Sequence, residues 1–324
     1  MNELQQILLS DRPLWISQSG YIQAMLTAFP AFRHVVDIKD TSSSQVMPGF
    51  LPAISYKEAS AGALSRLICS SGVGDSEKHI TLTSDFSSQE IPDGAIAYHR
   101  IFGVITAASY WFFSSKQLEA DLLEAERNPA ITCHFLHINS PGGEAWYLDR
   151  LSETLDKCEK PIIALYEQCC SAAYHIACHA QRLYANTKFD FVGCIGTMTS
   201  FWDFKDYFAS IGIKKVEAKA SGSDLKNKMF EDLVDGKPDD FVANVLNPIN
   251  ADFLDTVRRC RPALGALDYD APVLRGETYY TDQALEIGLA DGCRTFLEAV
   301  NEADEMGRQY RELVKEKNSF YNAI

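Results

Sequence analysis

The chain has 324 residues, 46% of them apolar and 23% charged, and a formal net charge of −14. That length allows one large domain or a core domain with smaller additions, and the acidic balance argues against a nucleic-acid surface, which needs clustered Lys and Arg to displace counterions. Nine cysteines stand at irregular spacings without a C-x-x-C pair, so neither a metal nor a cofactor is expected, only reduced and mostly buried thiols in a cytoplasm-like compartment. The start, "MNELQQILLSDRPLW", lacks the basic, apolar and small-residue regions of a signal peptide. The most apolar stretch, "GVITAASYWFF", is too short to span a membrane.

Residues 1–90 are irregular in pattern and are read as an N-terminal extension. Within it "GYIQAMLTAFPAF" suits a short amphipathic helix, while "DTSSSQVMPGFLP" and "SSGVGDSEKH" suit loops. From the strand "GAIAYHRIFGVI" onward the pattern alternates. Helix "SSKQLEADLLEAERNP", with a Ser cap and a Pro beyond its end, leads to the buried strand "ITCHFLHI". Helix "EAWYLDRLSETLDKC", strand "PIIALY", helix "SAAYHIACHA" and strand "RLYANT" follow. Such alternation predicts an α/β fold with parallel strands and crossover helices, in which functional residues collect at the carboxyl ends of strands. Further on, "SFWDFKDYFASIGI" reads as a helix leading to a strand "KKVEAKA", and "DDFVANVLNPINADFLDTVRRC" as a long helix interrupted by Pro. A highly charged helical tail closes the chain. The expected division is an extension over 1–90, a catalytic domain over 91–294 and a helical tail over 295–324.

Two stretches carry chemistry. "HINSPGGEAW" puts Pro-Gly-Gly between a buried strand and a helix, where Gly142 and Gly143 allow a ligand to approach the backbone and free N–H groups favour negative charge. "EQCCSAAYHIAC" puts Ser171 at the start of a helix directly after another strand. Both begin at carboxyl ends of predicted parallel strands, so Ser171 and the amides of Gly143 and Ala172 form a candidate nucleophile and oxyanion hole for acyl transfer. Cys169 and Cys170 read as inert residues at the buried strand end.

The ordered set "NSPGG", "CCSAAYHIA", "FVGCIGTMTSF" and "GETYYTDQALEIGLADG" resembles the signal peptide peptidase A-like serine proteases, relatives of the Clp protease and crotonase fold. The resemblance spans about Gly94 to Gly292. "RPLWISQSGYIQAML" is similar to the Trp-containing start of the phage capsid-maturation branch of that family. The resemblance implies a serine endopeptidase with a Ser-Lys dyad, Ser171 as nucleophile and Gly143 as oxyanion glycine. The usual two glycines after the serine are here Ala172 and Ala173, which leaves the Ala172 amide in place.

The implied base is a lysine from "KASGSDLKNKMFEDL". The usual Ser-Gly-x-x-Lys spacing falls on Leu225, one residue short, so Lys226 is the first candidate and Lys228 the second. To act as base it has to be neutral, its pKa lowered from about 10.4 towards about 7 at a cost on the order of 4 kcal/mol supplied by burial and neighbours. His175, one helical turn beyond Ser171, is a weaker candidate base and is expected to pack or line the site. Gly196, Thr197 and Thr199 are candidates for orienting the lysine or binding substrate backbone. Thr281 and Gly288 read as the cap and end of a helix.

The implied partners are a protein or peptide substrate, specifically scaffold or capsid proteins during phage or prophage head assembly, and further copies of the same chain as a homo-oligomer. The implied location is the host cytoplasm or the phage procapsid, with no nucleic acid and no membrane span. Two other functions use the same sequence features. A crotonase-type acyl-CoA hydratase or isomerase would draw on Glu144 instead of Ser171, and a non-catalytic capsid scaffolding component would draw on neither.

Overall fold

The computed structural model describes residues 14–16, 66–71, 78–108, 112–201, 203 and 205–322. The amphipathic helix expected over 20–32 and the loop over 40–52 lie outside these residues, as does the middle of the loop over 70–79.

The strands in chain order are β1 (Leu14–Ile16), β2 (Arg66–Ser71), β3 (Lys78–Thr83), β4 (Ala95–Phe102), β5 (Ile105–Thr106), β6 (Phe113–Ser114), β7 (Ile131–Ser140) and β8 (Gly142–Glu144). They continue with β9 (Ile162–Cys170), β10 (Arg182–Ala185), β11 (Phe191–Gly193), β12 (Thr278–Tyr280) and β13 (Gly292–Cys293). The helices are α1 (Ser115–Arg127), α2 (Leu148–Asp156), α3 (Ala172–Ala177), α4 (Lys205–Ser210), α5 (Lys228–Val234), α6 (Asp239–Phe241), α7 (Asn247–Cys260), α8 (Pro262–Gly265), α9 (Thr281–Ile287) and α10 (Phe296–Asn322).

The expected α/β fold with repeated β-α units is observed. β3, β4, β7 and β9 run parallel, and β9 pairs in parallel with β10 along its first half and β11 along its second. β7 lies between two parallel neighbours, and all but two of its residues are buried, polar Thr132, His134 and Ser140 among them. Helix α1 begins where Ser114 Oγ accepts the Gln117 N–H at 3.2 Å and stops at Asn128, just before Pro129. A second, four-stranded sheet in the order β1-β8-β5-β6 sits beside the main one and contains the Gly142-Gly143 turn.

Several expectations change. β2 and β3 fall within the stretch read as an irregular extension, yet β2 pairs antiparallel with β3 and β3 parallel with β4, so the main sheet begins before residue 91. "KKVEAKA" forms no strand; residues 213–220 are irregular and largely exposed. The long helix meets its proline through a π segment, Val242–Leu246, because Pro248 has no N–H to give the preceding turn. The charged tail is a helix, as expected, but its first half is part of the core. Ala299, Val300 and Ala303 are fully buried with Phe135 and Ile163 of the main sheet. Gly288 ends α9 in the left-handed conformation as expected, whereas Tyr280 takes the cap position and the buried Thr281 donates its hydroxyl to the Thr187 carbonyl at 2.6 Å.

Among the described residues no helix is long and apolar enough to cross a membrane.

Candidate active site

Strand β9 ends at Cys170 and α3 begins at Ala172, so the chain turns from strand to helix at one residue, Ser171. Its backbone takes φ 54° and ψ −120°, a region an L-residue occupies only at a cost of about 1–3 kcal/mol. The turn is held by the Ser171 N–H, which donates to the Gly193 carbonyl at the end of β11 at 2.8 Å. The side chain is 1% exposed, and its Oγ has no hydrogen-bond partner. A buried hydroxyl without a partner costs about 1–3 kcal/mol, so this serine combines strain and desolvation at one position.

Behind it, α3 is buried along its whole length. Ala172 and Ala173 stand in the first turn, where backbone N–H groups have no acceptor within the helix. Across from the elbow runs β8. Gly143 pairs with Ile105 of β5, and a Cβ at Gly143 would come within 1.9 Å of the Ile105 carbonyl oxygen. Only glycine allows that approach. Gly142 has φ 100°, which sets the turn out of β7. Helix α3, which begins at Ala172, packs against β8, which carries Gly143, beside the carboxyl ends of β7 and β9.

The free edge of β8 is taken by β1. Leu14, Trp15 and Ile16 pair antiparallel with Glu144, Gly143 and Gly142. An extended segment therefore lies on the strand that carries Gly143.

Other candidates fall in different places. His175 is buried, with its ring against Phe253 (5.2 Å between centroids) and His179 (6.2 Å). Burial, helped by His179 and Arg259, holds its pKa well below the ordinary histidine value. Gly196 and Thr197 line a cleft of about 550 Å³ with Asn250, Leu254 and Leu274; the Thr197 N–H donates to Asn250 Oδ1 at 3.0 Å. Thr199 is half-buried. Cys169 and Cys170 are fully buried and burial raises both thiols, consistent with inert residues.

Lys226 is exposed, in a turn whose N–H donates to the Ser223 carbonyl at 3.1 Å. Lys228 is exposed and ion-paired with Asp232. Within one copy of the chain neither lysine has the burial that a neutral amine requires. Glu144, the carboxylate a hydratase would draw on, is buried and accepts the Ala107 N–H at 2.7 Å.

A strained, buried serine at a strand-helix elbow beside a glycine strand is the layout of an acyl-transfer hydrolase. Residues 154–310 match peptidase family S49. Protease 4 of Haemophilus influenzae is 28% identical over 196 residues, covering 58% of this chain and 30% of that protein. A Methanocaldococcus jannaschii protein whose name assigns it provisionally as a protease is 22% identical over 186 residues, covering 56% of this chain and 58% of its own. The chain thus spans between about a third and three-fifths of these relatives' length. A solved membrane-bound stomatin-specific protease with a substrate peptide aligns at TM-score 0.39 and 12% identity, covering 64% of this chain and 78% of the other. Over the matched residues this chain is thus similar to peptidase family S49 and to Protease 4.

Proposed function

We propose that this chain is a serine endopeptidase in which Ser171 attacks the scissile carbonyl, the amides of Gly143 and Ala172 hold the oxyanion, and Lys226 takes the proton from Ser171 and returns it to the leaving amine. The observation that carries this reading is Ser171 itself, with its buried, unpartnered hydroxyl at a positive-φ elbow. Extended substrate lies along β8 as β1 does, through main-chain hydrogen bonds. No step calls for a metal or cofactor.

The exposed lysine is the weak point of a single copy, and its surroundings supply a remedy. The segment from 205 to 235 exposes Tyr207, Ile213, Val216 (92%) and Leu225 (78%), more apolar surface than a solvated arm has reason to carry. A second copy covering this arm would desolvate Lys226, so we assign the working enzyme as a homo-oligomer. The resemblance to the phage capsid-maturation branch, including its Trp-containing start, extends the reading to scaffold or capsid proteins as substrates in a host cytoplasm or procapsid, the arm and the acidic surface serving assembly.

Mass spectrometry after fluorophosphonate treatment tests the dyad. One adduct on Ser171 is expected in the wild type and none in Ser171→Ala or Lys226→Ala. Labelling that survives Lys226→Ala moves the base to Lys228 or His175. Mixing the two inactive variants restores adduct formation if Lys226 reaches across copies. An unlabelled, assembled wild type overturns the peptidase reading.

A further inference from the structure

Helix α3 presents Ser171 at one end, and at its other end Cys178, His179 and Cys260 converge, with Asp156 beside His179. Cys178 and His179 follow the last residue of α3, Cys260 ends α7, and Asp156 ends α2. The two Sγ atoms and one His179 ring nitrogen lie within 4.8 Å of one another. His179 Nδ1 is 3.6 Å from Cys260 Sγ and 2.9 Å from Asp156 Oδ1. The other ring nitrogen, Nε2, is 2.9 Å from Ser152 Oγ.

We propose that Cys178, Cys260, His179 through Nδ1 and Asp156 form a zinc site that pins the far end of the nucleophile helix to α2 and α7. Zinc bonds of about 2.3 Å to sulfur and about 2.0 Å to nitrogen, at a tetrahedral angle, put those two ligand atoms about 3.5 Å apart. The observed Cys260–His179 separation matches that edge. Thiolate and imidazole together select zinc over the hard cations magnesium and calcium. Ser152 provides the outer partner that fixes a metal-bound imidazole in one tautomer. Two thiolates, one carboxylate and Zn²⁺ leave one negative charge, and Arg259, 2.9 Å from each Asp156 oxygen, offsets it.

Both thiols lose a proton on binding. Cys178 gives up the S–H it donates to the His175 carbonyl at 3.2 Å. Cys178 and the His179 ring are buried, and four protein donors fill the coordination sphere, so the role is structural.

A second grouping, Glu126, His134 and Cys158, carries no such inference. It offers a single thiol, and its Glu126 carboxylate already accepts the backbone N–H groups of Glu159 at 3.3 Å and Lys160 at 3.2 Å.

The test uses the untagged full chain from zinc-supplemented cells, reading zinc by elemental mass spectrometry and, after exchange, the thiolate-to-Co²⁺ absorption band. One zinc per chain is expected, reduced at least tenfold in Cys178→Ser/Cys260→Ser. Chelation should lower the melting temperature, and added Zn²⁺ restore it. Folded wild type with neither zinc nor a cobalt–thiolate band overturns the proposal, and so does a Cys178–Cys260 disulfide in non-reduced peptide maps, which would make the pair a redox element. Should the double variant fail to fold, the wild-type zinc content and cobalt spectrum still decide.

Discussion

Ser171 accounts for most of what the site costs the fold. Its φ of 54° and its unpartnered Oγ are both unfavourable, and neither helps packing. Replacing it with Gly removes the Cβ that makes the conformation strained, worth about 1–3 kcal/mol, along with the hydroxyl, against a chain-entropy loss of about 0.5–1 kcal/mol. Ser171→Gly is therefore expected to melt a few degrees higher than the wild type while losing all peptidase activity. Ser171→Ala keeps the strain and should gain less. A lower melting temperature for Ser171→Gly would mean that the elbow is not strained in solution. The identity of this serine was legible from its small neighbours and the preceding strand, because a helix start after a parallel strand needs little space around it. The strain was not legible, since φ follows from the Gly193 carbonyl holding the Ser171 amide, a contact made across the sheet.

At the scale of elements, β8 decides access to the serine. On the function proposed above, a substrate strand would compete with β1 for the edge of Gly142–Glu144, and only one can pair there. Deleting residues 1–17 should therefore raise kcat/KM on an unstructured protein substrate several-fold, mainly through a lower KM. An unchanged KM would show that peptides bind elsewhere. The β-α alternation was readable because β7 and β9 are buried on both faces and α1 has a side-chain cap. What could not be read depends on partners distant in the chain. "KKVEAKA" has alternating apolar residues but no neighbouring strand to pair with, and Val216 stays in solvent. The tail looked solvent-borne because its charged residues outnumber the few that pack on the sheet, Ala299, Val300 and Ala303 with the partly buried Phe296 and Met306. Cys260 and His179 stand 81 positions apart, so a search for C-x-x-C passes over them.

For the whole molecule, acid is the expected weakness, and buried histidines are the cause. His99 and His175 are held well below the ordinary histidine range, chiefly by burial, and His134 is lowered by burial against the opposing pull of Glu126. Each is neutral in the fold and takes a proton on unfolding near its ordinary pKa of about 6.5. Above that pH both states are neutral and the groups contribute no pH dependence. As the pH falls through 6.5 the unfolded chain binds protons that the fold refuses, and stability drops by up to about 1.4 kcal/mol per pH unit for each histidine. The net charge of −14 acts in the opposite sense, because acid relieves self-repulsion. That relief begins only as carboxylates titrate, near pH 4, so the histidines dominate between pH 6.5 and 5. The melting temperature should hold steady from pH 8 to 7 and fall progressively from 6.5 to 5, and His175→Leu should reduce that slope by about a third. A flat profile down to pH 5 would require these rings to be protonated inside the fold, which three buried sites with one nearby carboxylate, Glu126, do not support.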